Sequence, residues 1–257
     1  MTTGAWDPAQ YNRFAAEREQ PFWDLYALLE PVERPFVVDL GCGDGRLTAL
    51  LHDRLGARTT VGIDSSASML AETQRHATAQ LHFVEGDLSV WDGDDVDVVF
   101  SNAALHWVGD HAAVLERWCR SLAPGGQLAV QVPANADHPS HTVARGLADE
   151  LLGVDAPTDP VHDHVLRPEQ YAALLFDLGL VRQHVRLQVY GHVLEASSHV
   201  VEWVKGTSLT RFKAVLDPEG YEDFVAEYRR RLEVVLGDRR PFFYPFKRIL
   251  LWGRAPV

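Results

Sequence analysis

Cysteine is nearly absent from this 257-residue chain: Cys42 and Cys119 are the whole complement, and no CxxC pair occurs. Two thiols cannot build a disulfide framework or a Cys-rich zinc site, so no metal is expected and a reducing interior suits the chain. Basic residues are also short, 24 Lys+Arg against 36 Asp+Glu, for a net charge of −12. Such a chain repels a phosphate backbone at long range, which excludes nucleic-acid binding through a broad basic field. Any anionic substrate must then be held by a local basic cluster. Long apolar runs are missing too: none approaches the ~18 residues that a membrane helix needs. The opening MTTGAWDPAQYNRF lacks the basic start and apolar segment of a signal peptide. A cytoplasmic protein without membrane or nucleic-acid partners is expected, and no repeat or low-complexity tract interrupts it.

What is present is an ordinary globular composition, 46% hydrophobic and 23% charged. Short apolar runs alternate with helical patterns: FVVDL (36–40), TTVGI (59–63), LHFVE (81–85), VDVVFS (96–101) and GQLAVQV (126–132). The spacers run 18, 17, 10 and 24 residues, and the longer three can each hold one crossover helix, which predicts parallel strands in a doubly wound α/β sheet. Asp7-Pro8 reads as the start of a first helix within 1–35, Ser65/Ser66 and Asp110 as the starts of two more. Pro124-Gly125-Gly126 is expected to stop the last of these and turn into the fifth strand.

Beyond the core at 36–132 the rhythm breaks. Residues 133–182 carry the loop PANADHPSH and a helix from Pro168, and HVRLQVY (184–190) reads as a strand within 183–194. A second insert, 195–240, holds the helix candidates SSHVVEWVKGT and PEGYEDFVAEYRRRLEVVL. The latter aligns Tyr221, Phe224, Val225, Tyr228, Leu232 and Val235 on one face, leaving Arg229, Arg230 and Arg231 as a solvated face. FKRILLWGR (246–254), within 241–257, closes a seven-stranded, mostly parallel sheet of one domain. The two inserts form a helical cap, expected over the carboxyl edge of the strands, where such folds bind ligands.

The strongest local pattern is VVDLGCGDGRLTALL (37–51), a strand followed by Gly41, Gly43 and Gly45 and then a helical repeat. Glycines there let the backbone turn tightly and approach a ligand, and the helix N-terminus adds a positive dipole end. A dinucleotide fingerprint would need glycine where Arg46 stands, which disfavours a nicotinamide-binding oxidoreductase. Asp39, at the strand end, would repel a pyrophosphate but suits an ammonium group. Asp64 ends the second strand, where a carboxylate can accept from both ribose hydroxyls. Asp87 can accept from an adenine amino group while Leu88 covers the ring.

With these residues assembled, the sequence resembles the class I S-adenosylmethionine-dependent methyltransferases, with a Rossmann-like fold. The resemblance rests on DLGCGDG, on Asp64 at the ribose position with Ser65 beside it, on Asp87, and on FSNAALHW, where it places Asn102 near the methionine part of the donor. A narrower similarity, to trans-aconitate 2-methyltransferases, rests on WDPAQYNRFAAEREQPFWDL, GIDSSASMLAE, FVEGDLSVW, SNAALHWVGDH, LAVQVPAN, PSH (139–141) and WVKGTSLTRF. It departs at His106, where that family is expected to carry glutamine. The resemblance implies methyl transfer to a carboxylate of trans-aconitate or an analogue, with S-adenosylhomocysteine as the other product and no metal.

That chemistry sets what the remaining residues must do. A carboxylate is already deprotonated near pH 7, so no general base is required. Alignment could contribute on the order of 7–11 kcal/mol, which makes positioning the main task. A cation on the reacting oxygen would stabilise the ground state more than the less charged transition state, so basic groups belong on the non-reacting carboxylates. Lys205, Arg211 and Arg248 lie in the cap or the closing strand, Tyr221 and Tyr244 could join them, and Trp107 could form a pocket wall. Tyr11 and Arg18 share a face of the first helix and could lean over donor or acceptor. His106 has a catalytic reading as the base for a hydroxyl acceptor and a packing reading beside Trp107. Methylation of a hydroxyl or carbon acceptor, and non-catalytic binding of the donor, are the rival functions.

Overall fold

The computed structural model describes residues 15–257, with side chains from Glu19 onward. Asp7, Pro8 and Tyr11 lie outside the described residues, as does the side chain of Arg18.

Seven strands form one sheet in the order β3-β2-β1-β4-β5-β7-β6. They are β1 (Phe36–Leu40), β2 (Thr59–Asp64), β3 (Leu81–Glu85), β4 (Val96–Asn102), β5 (Leu122–Pro133), β6 (Arg182–Leu194) and β7 (Phe242–Arg254). The first five pair in parallel, with Val38 beside both Val61 and Val99, and β7 runs antiparallel to β5. Strands covered on both faces need continuous apolar runs, and β1 is buried from Val37 to Leu40. The helices between them are α1 (Ala15–Tyr26), α2 (Arg46–Leu55), α3 (Ala67–Thr73) and α4 (His111–Arg120), followed by α5 (Pro139–Leu151), α6 (Pro168–Asp177), α7 (His199–Lys205) and α8 (Pro218–Leu236). No described helix is long and apolar enough to cross a membrane. The doubly wound, mostly parallel α/β architecture is the one the strand rhythm predicts.

The chain divides into two compact units. A sheet unit comprises 20–133, 164–188 and 248–257; a helical unit is built from 134–163 and 189–247. The sheet unit packs Phe22 and Leu25 of α1 with Val37, Leu51, Val98, Phe100 and Trp252. The helical unit has its own core, in which Ala144 and Leu147 of α5 meet Val200 and Trp203 of α7 and Phe224, Tyr228 and Leu232 of α8.

Three local expectations are corrected. First, α4 ends at Arg120 and β5 already begins at Leu122, so Pro124-Gly125-Gly126 lies within the strand instead of stopping the helix. Gly125 takes φ +74, and the β4–β5 register shifts between Val96 and Val98, so the triplet forms a bulge. Second, PSH opens α5 instead of ending a loop: the His138 ring nitrogen accepts from the Ser140 amide and caps the helix, with Pro139 in its first turn. Third, Val235 is 56% exposed and Leu236 takes its place on the buried face of α8. Arg229, Arg230 and Arg231 do lie at the surface, engaged with Glu202, Glu227 and Glu150.

Candidate functional site

In the sheet unit the glycine loop is fixed by what surrounds it. Gly41 adopts φ +82, and a Cβ there would fall 2.1 Å from the Ala104 Cβ on the turn leaving β4. Both the backbone conformation and the contact exclude a side chain. Leu88 closes the same corner, its Cδ2 3.8 Å from that point, while its carbonyl accepts from the Trp118 indole. Gly43 is left-handed too, at φ +58, and its amide donates to the Asp64 carboxylate at 2.9 Å.

Asp64 thereby links two loops, because its other oxygen accepts from the Ser66 amide at 2.9 Å. Each oxygen keeps a lone pair for a further donor, the arrangement a pair of ribose hydroxyls would use. Ser65 is exposed beside it, and Ser66 caps α3 by accepting from Met69. Asp87 is exposed after β3 and accepts from the Ser89 amide at 2.8 Å, with its second oxygen outside that bond. Asn102 ends β4 with a buried side-chain oxygen that has no hydrogen-bond partner among the described residues.

Asp39 is 4% exposed and accepts from the Thr48 hydroxyl at 2.6 Å. Burial pushes its carboxyl up to about 7 against that hydrogen bond, and the charge of Asp64 adds to the rise. A buried carboxylate in this state gains most from a cation. The loop therefore presents left-handed glycines, a carboxylate raised by burial, an unpartnered amide oxygen and a carboxylate anchored between two loops. These fit the ammonium, methionine and ribose parts of an S-adenosyl ligand.

His106 lies in the single turn Leu105–Trp107, 6% exposed, its ring centroid 4.7 Å from that of Trp107. Its carbonyl accepts from the His164 ring at 3.0 Å, which ties this turn to the segment preceding α6. Trp107 itself is 46% exposed. Arg248, the remaining sheet-unit candidate, lies in β7 opposite Pro133. Cys42 is buried with its thiol pushed well up by burial and by the charges of Asp39 and Asp64, the opposite of a nucleophile's environment. Among the described residues no group of three His, Cys, Asp or Glu is placed to hold a metal ion.

The helical unit contains a different kind of site. Arg211 sits in the turn Thr210–Ala214 with its side chain only 8% exposed, and its Nη2 donates to Asp159 at 3.1 Å. Its Nε and Nη1 are buried without a partner among the described residues. Burial alone would raise the Asp159 carboxyl; contact with His141 and the Arg211 charge outweigh it and hold the group well below the usual range. Tyr221, on the first turns of α8, has a buried and unpartnered hydroxyl, and burial raises it to about 12. Leaving a buried donor unsatisfied costs about 1–3 kcal/mol, more when it is charged. Arg211 and Tyr221 both carry such donors within this unit.

The other two candidates have partners within the same unit. Lys205 reaches Glu222 at 3.8 Å. Tyr244 is fully buried, its hydroxyl 3.3 Å from that of Ser140 and its ring packed against His138, Trp203 and Phe246. Sequence reasoning did not single out Arg145, His141, Asp159 or Ser208 as site residues, although each carries a buried unpartnered polar atom in this unit. The inclusion of PSH among the resembling segments was the one signal that reached His141.

Comparison with known proteins decides the family. Residues 37–126 match a methyltransferase domain family. The chain is 40% identical to trans-aconitate 2-methyltransferase of Deinococcus radiodurans over 98% of both chains. It is 39% identical to the protein of the same name from Streptomyces coelicolor, over 99% of this chain and 88% of that one. The chain belongs to this family of class I methyltransferases. Its fold is shared with phosphoethanolamine N-methyltransferase 2 of Haemonchus contortus, solved with phosphomonomethylethanolamine and S-adenosylhomocysteine: TM-score 0.58, 16% identity, covering 93% of this chain and 53% of that one. As a member of the family, the chain is an S-adenosylmethionine-dependent methyltransferase.

Proposed function

We infer that this methyltransferase acts on one carboxylate of a small polycarboxylic acid, trans-aconitate or a close analogue, and forms a monomethyl ester. The observation that carries this reading is Arg211: a buried guanidinium oriented by Asp159, with two of its nitrogens left for an anion. The names of the curated relatives support the same acceptor. When bound, S-adenosylmethionine supplies a sulfonium methyl to an oxygen approaching in line. Arg211 would hold a carboxylate that does not react, leaving the reacting oxygen without a cation to stabilise it in the ground state. Tyr221 would donate its hydroxyl to the same acceptor. No residue has to remove a proton, so His106 retains the packing role its contact with Trp107 supports. The test is transfer of labelled methyl across a panel of di- and tricarboxylic acids, hydroxylated metabolites and amines. Incorporation confined to the hydroxylated compounds or amines would reject the reading.

On the donor side, Asp39 would pair in its charged form with the methionine ammonium. Its carboxyl titrates near pH 7. Below that pH a proton must leave before the ammonium binds, so affinity for S-adenosylhomocysteine is expected to fall roughly tenfold per pH unit and to level off above it. Calorimetry between about pH 5.5 and 8.5, which spans the titration, checks this. Asp39→Asn is expected to bind more weakly at high pH and to lose the slope; an unchanged slope in this variant would assign the titration elsewhere.

A further inference from the structure

We propose that Arg145 is a second anion-holding residue beside Arg211, and that it determines specificity by requiring a second non-reacting carboxylate on the acceptor. This rests on the reading that the helical unit binds a polycarboxylic acid. Arg145 lies on α5 one turn beyond His141, so the two share a face of that helix. The His141 ring stands 4.0 Å from Asp159, and Asp159 in turn holds Arg211. Arg145 is therefore carried toward the pair formed by Asp159 and Arg211. Its Nη1 is buried and has no partner among the described residues. No described carboxylate forms an ion pair with it, whereas the arginines of α8 are all matched by glutamates.

The electrostatics agree with that placement. Burial lowers the Arg211 guanidinium against the pull of Asp159 and Asp163, and the charge of Arg145 lowers it further, so the two cations are close enough to repel. Asp159 and Asp163 supply the carboxylates acting on Arg211, yet Arg145 Nη1 and Arg211 Nε and Nη1 remain buried without a partner among the described residues, donors that a bound anion would satisfy. The unpartnered hydroxyls of Ser208 and Tyr221, both in this unit, are further donors that such an anion could use. A single carboxylate between the arginines would meet one cation's needs. The donors left on Arg145 and Arg211 match an acceptor with two carboxylates besides the one methylated.

The experiment uses the full chain and four acids. These are trans-aconitate and the three dicarboxylates made by deleting one of its carboxyl groups at a time: itaconate, mesaconate and glutaconate. Each dicarboxylate competes against trans-aconitate in the methyl-transfer assay, with wild type, Arg145→Gln and Arg145→Lys. Arg145→Gln is expected to raise KM for trans-aconitate roughly 30-fold with KM for S-adenosylmethionine unchanged. It is also expected to abolish discrimination against one dicarboxylate only, the one lacking the group Arg145 holds. Arg145→Lys, which keeps the charge, should show the same selectivity change in weaker form and serves if the glutamine variant fails to fold. An equal loss for all four acids, or a change below about threefold in both variants, would overturn the assignment of Arg145 while leaving the proposed reaction intact. Failure of the wild type to methylate any of the four would overturn the reading on which it rests.

Discussion

Asp64→Ala is expected to weaken binding of S-adenosylhomocysteine by roughly 300-fold, and to lower the melting temperature of the free protein by several degrees. The size follows from what the carboxylate does. It accepts from the Gly43 and Ser66 amides at 2.9 Å each, so one charged group orders two loops before any ligand arrives. Hydrogen bonds to a charged group contribute about 1.5–3 kcal/mol each, and loss of the ribose contacts alone accounts for about 3–4 kcal/mol. Asp64→Asn separates the two duties. It keeps an oxygen for one amide but presents donors to the other and to the ribose, so binding should weaken nearly as much. Calorimetry with S-adenosylhomocysteine is the measurement. Affinity within threefold of wild type in both variants would remove Asp64 from the donor site.

Arg211→Ala is expected to have the largest effect on the acceptor side, lowering kcat/KM for trans-aconitate by roughly 1,000-fold while the dissociation constant for S-adenosylhomocysteine stays unchanged. The same change strips Asp159 of its cation inside the helical unit, where its side chain is 3% exposed. Removing one partner of a buried pair costs about 3–5 kcal/mol, so the alanine variant should also melt earlier. Arg211→Lys distinguishes binding from stability. An ammonium can neutralise Asp159 but lacks the fork that would leave two nitrogens for the acceptor. That variant is expected to melt close to wild type and still raise KM for the acid by roughly 50-fold, a difference of about 2–2.5 kcal/mol. A lysine variant with normal KM would show that Arg211 serves only to hold Asp159.

The donor half was legible in the sequence because its signals are local. DLGCGDG must turn within a few residues, and Gly41 has neither the backbone freedom nor the space for a side chain. The buried strands are apolar runs that vary little in form, so β1 and β4 fall where Val, Leu and Phe cluster. The acceptor half was less legible, and α5 shows why. Its first turn is PSH, which reads as a turn, and its buried face mixes Ser140 and His141 with Ala144, Leu147 and Ala148. Polar residues placed inward erase the apolar period by which a helix is recognised. Asp159 is an ordinary charged residue until tertiary contact brings it to Arg211. The Pro-Gly-Gly triplet was misread for the opposite reason: the local turn chemistry is strong, but pairing of β5 with β4 absorbs it as a bulge.

The proposed reaction requires that a carboxylate oxygen take the methyl group. The direct measurement is carbon-13 NMR of the product formed from methyl-labelled S-adenosylmethionine and trans-aconitate, before and after mild alkaline hydrolysis. One labelled methyl ester on the acid is expected, which alkali releases as methanol. Label in a base-stable methyl on carbon, or no label on the acid from protein that binds S-adenosylhomocysteine, would contradict it.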